Sequence, residues 1–286
     1  MFFKNDMKLF QRMGGTVQAG QCKPTPLRVK GGAPSEAQLC PCTAPGAEAF
    51  NKSFLEIGAL DGQFLSNLLF FEAQMGWRGM CIEGSPRNYR ALVRNRPECI
   101  NINGVVGRSI VESEGGSATF LTFVKGQSWE RAMSCVLGSG VCATREAAER
   151  YAESIQGRME VDVVPGYLLS DLFAKAGFSR MGWIMLDVEG AEYQVIETVD
   201  FEKVSAELVT FEGGDPKVKK LLASKGYREV EALGLDTAYV LKAQDTGSGG
   251  KGDANAVEER GGSGYLQHQI AEATGGPLRP GQAGRC

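Results

Sequence analysis

An α/β fold on a mostly parallel sheet, with helices on both faces and an antiparallel hairpin at its C-terminal end, is what this sequence predicts. Three observations carry that expectation. Short apolar runs alternate with helix-period segments between residues 53 and 242, the pattern of successive βα units. The 286 residues are 43% hydrophobic and 23% charged, enough to bury a large core and unlike a disordered, collagen-like or coiled-coil chain. A glycine-bearing loop opens the first helix where the first strand ends, and open α/β sheets bind ligands outside the carboxyl ends of their strands.

The elements follow in order. Residues 1–52, rich in Gly, Pro, Ala, Gln and Thr, read as an irregular lead-in. Residues 53–242 form the folded domain. Its first strand is 53–59, followed by a helix over 64–75, a strand over 78–83, a helix over 86–96 and a strand over 99–106. Strands at 118–124 and 159–164 flank an insertion of helix and loop over 128–157, which is placed to close over a site. A helix at 168–176, a strand at 182–188, a helix at 191–199, a strand at 207–212 and a helix at 217–225 come next. The hairpin pairs 227–230 with 238–242. In the tail, 243–286, about a quarter of the residues are glycine, a composition whose ordering entropy outweighs burial and which predicts disorder. The one histidine, His268, lies there, outside any catalytic scheme of the core.

Charge and cysteine usage exclude several classes. With 31 Lys and Arg against 34 Asp and Glu the net charge is −3, which lacks the basic footprint of a nucleic-acid binder. Eight cysteines in a chain of this length are too sparse for a disulfide scaffold, so Cys81, Cys99, Cys135 and Cys142 are expected as inert thiols, with a reducing, cytoplasmic compartment as the default. Cys40-Pro-Cys42 has no second close pair to complete a metal site. No apolar run approaches the roughly 18 residues of a membrane helix, and charges interrupt the N-terminal Met1-Phe2-Phe3-Lys4 stretch before a leader core forms. Arg87, Arg90, Arg94 and Arg96 read as a solvated helix face. Trp77 and Trp183 are expected to pack the sheet ends.

The loop after the first strand reads Glu56-Ile57-Gly58-Ala59-Leu60-Asp61-Gly62. Glycine here serves either turn sterics alone or close approach of a ligand to the backbone. The Gly-x-x-x-Gly spacing departs from the dinucleotide fingerprint, which disfavours a nicotinamide oxidoreductase. Glu56 and Asp61 place carboxylates beside the loop, repelling a pyrophosphate and attracting a sulfonium and an ammonium. The second strand ends in Glu83, where an acid can accept from two ribose hydroxyls. An adenosine ligand without phosphates, S-adenosyl-L-methionine, fits all of these.

These residues carry a resemblance. Phe54 to Gly62, Ser66-Asn67, Phe71-Glu72 and Gly76-Trp77-Arg78-Gly79-Met80-Cys81-Ile82-Glu83 are similar to the opening of the FkbM family of methyltransferases. Asp187-Val188-Glu189-Gly190-Ala191-Glu192 resembles that family's second hallmark. The resemblance implies a Rossmann-like class I methyltransferase fold and transfer of a methyl group from S-adenosyl-L-methionine to a hydroxyl oxygen of a carbohydrate or small metabolite. It implies that Glu56, Gly58, Ala59, Asp61 and Gly62 line the methionine half of the cofactor and that Glu83 holds the ribose. Asn103, Gly104 and Val105 are then expected near adenine. Where the family often carries Thr-Leu-Asp-Asp, this chain reads Tyr167-Leu168-Leu169-Ser170-Asp171, so a carboxylate is missing or displaced to Asp171.

Asp187, Glu189 and Glu192 sit at the end of a buried strand and the start of a helix. Burial and mutual repulsion should raise their pKa values into the range of a general base. The alternative for Glu189 and Glu192 is stabilisation of the helix N-terminus, worth about 0.3–1 kcal/mol each. Asp187 is the expected substrate-orienting or proton-accepting group, with Glu189 or Glu192 competing as base. A further alternative gives this turn, with Glu212 or Asp215, to a magnesium ion. A non-catalytic binding or trafficking module is the alternative from outside enzymology.

Overall fold

In the computed structural model, which describes residues 52–113, 115–125, 129–233 and 236–242, β1 (Ser53–Ile57) is buried along its whole length. A strand with parallel neighbours on both sides and helices over both faces has to be apolar throughout. It pairs in parallel with β2 (Arg78–Glu83) on one side and β8 (Arg180–Leu186) on the other. The sheet extends to β3 (Ile100–Asn103) beyond β2 and to β9 (Ser205–Glu212) beyond β8, all parallel. β10 (Tyr227–Leu233) and β11 (Asp236–Leu241) form the antiparallel hairpin, with β11 against β9. The order is β10-β11-β9-β8-β1-β2-β3, so strand order reverses between β1 and β8, and a ligand crevice belongs at their carboxyl ends.

Alternation along β1 divides the core. Phe54 joins Phe71, Trp77, Leu92, Trp183 and Met185 on the face covered by α1 (Leu69–Met75) and α2 (Pro86–Asn95). Leu55 and Ile57 join the opposite cluster, against α5 (Leu169–Ala176), α6 (Glu192–Ile196) and α7 (Pro216–Ser224). Both tryptophans are core, as expected. Phe71 sits between them with ring centroids 5.1 and 5.2 Å away, and Trp183 Nε1 donates to Thr210 Oγ1 at 2.7 Å.

Several expectations need correction. The first helix begins only at Leu69, because the Glu56 carboxylate accepts from the Asn67 amide at 2.9 Å and Leu65 adopts a φ of 60°, which diverts residues 64–68 from a helical path. The strand expected over 99–106 breaks at Gly104, whose φ is 151° and whose α-carbon lies so close to β7 (Arg158–Tyr167) that a Cβ would meet Pro165 O at 2.5 Å. Its second piece, β4 (Val105–Val106), leaves the main sheet and pairs with β7. With β5 (Ser117–Val124) and β6 (Cys135–Val136) these strands make a second sheet, ordered β4-β7-β5-β6. The insertion supplies α4 (Arg145–Ser154), which packs Ala148 and Ala152 against Leu121 and Phe123. A short α3 (Arg108–Val111) follows β4.

The thiol expectation is overturned. Cys81 pairs with Cys99, 6.2 Å apart at Cα, and Cys135 with Cys142, 6.0 Å apart. Both separations lie within disulfide reach. The β2–β3 pairing brings Cys81 to Cys99, and the 3-10 turn Gly140–Cys142 brings Cys142 back to Cys135 on β6, so a reducing compartment no longer follows from cysteine usage. The arginine face is corrected too: Arg87, Arg90 and Arg94 are exposed, but Arg96 is buried. No helix among the described residues is long and apolar enough to cross a membrane. The expected disordered tail, with His268, and nearly all of the lead-in lie outside the described residues.

Candidate active site

The loops after β1 and β8 touch. The Asp187 amide donates to Ile57 O at 3.1 Å, and a Cβ on Gly58 would lie 1.9 Å from Asp187 O. Above this contact opens a crevice lined by Gly58, Leu60, Glu83, Gly84, Val105, Phe120, Ser134 and Asp187. Glu83 is buried at its base, accepting from the Leu60 amide at 2.9 Å and the Ser85 amide at 2.8 Å. Burial pushes its carboxyl up to about 7 against the pull of those two amides. Asn103 lies behind it, donating to Glu83 O at 2.9 Å and Gly84 O at 3.2 Å. Gly104 and Val105 line the wall.

Other expected residues face elsewhere. The Glu56 carboxylate is turned toward α1 and α2, where it takes Arg96 Nη1 at 3.0 Å and Ser66 Oγ at 2.8 Å. Arg96 also pairs with Glu72 and lies 5.5 Å over the Phe54 ring. Glu56 therefore organises the loop and does not line the crevice. Ala59 is buried in the core, and Gly62 turns its α-carbon to Arg96. Asp61 stands at the rim, accepting from Gln63 and Phe64 amides and from Arg131 Nη2 at 2.8 Å. Burial raises its carboxyl, but the Phe64 amide, Arg131 and the Gln63 amide outweigh this and hold it below the usual range. Asp171 lies in the first turn of α5, facing a different groove with Thr198 and Asp200.

On Asp187, which lines the crevice, other acids converge. Asp187, Glu189 and Glu212 each offer an oxygen within 4.8 Å of the others. Burial first, then Glu212, Glu189, Asp236 and Glu192, drives the Asp187 carboxyl well above its usual value. Burial with Glu212 and Glu192 raises Glu189 to about 7, and burial with Glu212 raises Asp236 to about 6. Glu189 sits at φ 55°, a left-handed conformation costing about 1–3 kcal/mol in a residue other than glycine. Glu192 is buried and accepts from the Gly190 amide at 3.2 Å, which is the helix-terminus arrangement. Asp215 caps α7 by accepting from Lys217 N at 2.8 Å and is not among the converging oxygens.

The sequence placed the insertion over a site but singled out none of the residues that form the roof, Phe120, Ala132, Ser134 and Val136. Phe120 of β5 presses on Gly84 so closely that a Cβ there would meet the ring at 2.3 Å. Ala132, Ser134 and Val136 descend from the insertion. The loop closed by Cys135 and Cys142 packs on the acidic turn, with a Cβ on Gly140 meeting Glu189 O at 2.3 Å. The legible signal was position alone: the insertion follows a strand whose neighbour ends at the crevice.

No curated protein matches this chain. A family model described as the methyltransferase FkbM domain matches residues 56–229, more than half of the sequence and the whole of the crevice. All of the second resemblance motif and the first from Glu56 onward fall inside that span, and the two meet across the β1–β8 switch point. The chain belongs to the FkbM methyltransferase family.

Proposed function

We propose that this methyltransferase uses S-adenosyl-L-methionine to methylate a hydroxyl oxygen on a carbohydrate or other small molecule. The observation that carries the reading is the make-up of the crevice at the β1–β8 switch point: a largely apolar lining that holds buried Glu83 together with Asp187, the residue on which Glu189 and Glu212 converge. Ile82, Val105 and Phe120 supply walls for a purine, and Glu83 keeps acceptor lone pairs for ribose hydroxyls. The cofactor, when bound, supplies an electrophilic methyl carbon on a cationic sulfur.

The chain's own task is alignment and proton removal. Orientation of reactants as near-attack conformers is worth up to about 7–11 kcal/mol, and the walls around Gly58 and Asp187 provide it. With the cofactor bound, Gly58 and Asp187 would flank the acceptor oxygen, which would take the methyl group while sulfur kept the electron pair of the broken bond. The hydroxyl proton passes to Asp187, whose carboxyl is raised well above its ordinary value by burial and its acidic neighbours, or to Glu189, raised to about 7.

Gly84→Ala is expected to weaken cofactor binding by about 10-fold or more, since the new methyl needs the space of the Phe120 ring. Calorimetric titration with S-adenosylhomocysteine checks it. Turnover is expected to survive exhaustive chelation, because Asp187 and Glu189 act here as proton acceptors. Loss on chelation with recovery in magnesium would reassign those oxygens to a metal.

A further inference from the structure

Arg131 has a chemistry that the fold does not use up. It lies in the 3-10 turn Trp129–Met133 of the insertion and reaches down to the glycine loop, where Nη2 meets Asp61 at 2.8 Å and the guanidinium stacks 4.4 Å over the Phe64 ring. Only 12% of its side chain is exposed, against 17% for Asp61. Its Nε is buried with no hydrogen-bond partner. A buried donor of a charged group left unpaired is costly, and a guanidinium edge made of Nε and one Nη is the fork that a carboxylate fills with two parallel bonds. The neighbours of the pair in sequence, Leu60 and Ala132, both line the crevice, so the ion pair stands at its rim.

Asp61 and Arg131 form one negative and one positive group in contact. An α-amino acid end carries the same two charges in the opposite sense, an ammonium and a carboxylate joined through a single carbon. We propose that Arg131 binds the carboxylate of the cofactor's methionine end while Asp61 takes its ammonium, the resting ion pair opening to admit the ligand's zwitterion. This rests on the S-adenosyl-L-methionine reading above and adds a residue to it. Arg131 also clamps the insertion over the loop, so cofactor entry and closure of the roof are coupled through one side chain.

The test is calorimetry on the full chain with two ligands, S-adenosylhomocysteine and 5′-methylthioadenosine, which share the adenosine and differ by the amino-acid end. Wild type is expected to favour S-adenosylhomocysteine by about 10- to 100-fold, the range of a charge-assisted hydrogen-bonded pair. Arg131→Gln should erase most of that preference and leave 5′-methylthioadenosine within about threefold. Arg131→Lys should fall between them, since an ammonium lacks the planar fork. Equal weakening of both ligands by Arg131→Gln would make the residue a mere strut of the insertion and overturn the proposal, as would no change in either. Wild type binding neither ligand would overturn the cofactor reading itself. Should the variants fail to fold, wild type with decarboxylated S-adenosylhomocysteine decides: about 10-fold weaker binding than the parent supports the proposal, and equal binding overturns it.

Discussion

Asp187→Asn is expected to cut turnover by about 10²- to 10⁴-fold while leaving affinity for S-adenosylhomocysteine nearly unchanged. The substitution keeps the shape of the β1–β8 contact, whose hydrogen bond to Ile57 O comes from the residue 187 amide. What it removes is the carboxylate whose proton affinity burial and four neighbouring acids raise. Equal loss in turnover and cofactor affinity would assign Asp187 to the cofactor instead. Wild-type turnover should climb as pH rises through about 7, the value to which Glu189 is raised, because a base works only when ionised. The profile reports the coupled pair and not one residue.

The same acids weaken the fold. A carboxyl with a raised folded-state pKa favours the native state fully below its unfolded value, and that contribution is lost as pH rises through the folded one. For Glu189 and Asp236 the window runs from ordinary values of 4.5 and 3.8 to about 7 and about 6. Asp187→Asn should therefore raise the melting temperature at pH 8, by about 2–4 °C for each kcal/mol of repulsion relieved. Little gain is expected at pH 5. Thermal melts at the two pH values measure this.

Arg96→Ala is expected to be the most damaging single change to stability, at about 3–5 kcal/mol. It removes the partner of Glu56 and Glu72 inside the α1–α2 face, where the arginine side chain is 1% exposed and the two acids are 4% and 9% exposed. It also empties the volume beneath Gly62 and over the Phe54 ring. Urea titration at neutral pH gives the loss. A change under about 1 kcal/mol would return Arg96 to the surface role its sequence pattern suggests.

What the sequence made legible was local in character. Glu83 could be placed because a strand end after an apolar run fixes which way its terminal acid points. Asp187 could be placed for the same reason just past the end of β8, on the other side of β1. Glu56 could not: alternation along β1 sends it to the Phe54 face, and only the three-dimensional proximity of Arg96, 40 residues away, shows what it meets there. The Cys81–Cys99 pairing, the second sheet and the Phe120 roof all depend on which strands become neighbours, and spacing along the chain carries none of that. Asp171 shows the converse limit, since a motif position matched along the chain turned into a groove other than the crevice.

A crystal structure of the complex with S-adenosylhomocysteine tests the central claim most directly. The account predicts ribose hydroxyls on the Glu83 carboxylate, adenine against Phe120 and Val105, and sulfur facing Asp187 and Glu189 across the β1–β8 crevice. Adenosine bound anywhere else, or a sulfur directed away from those two carboxylates, would contradict it.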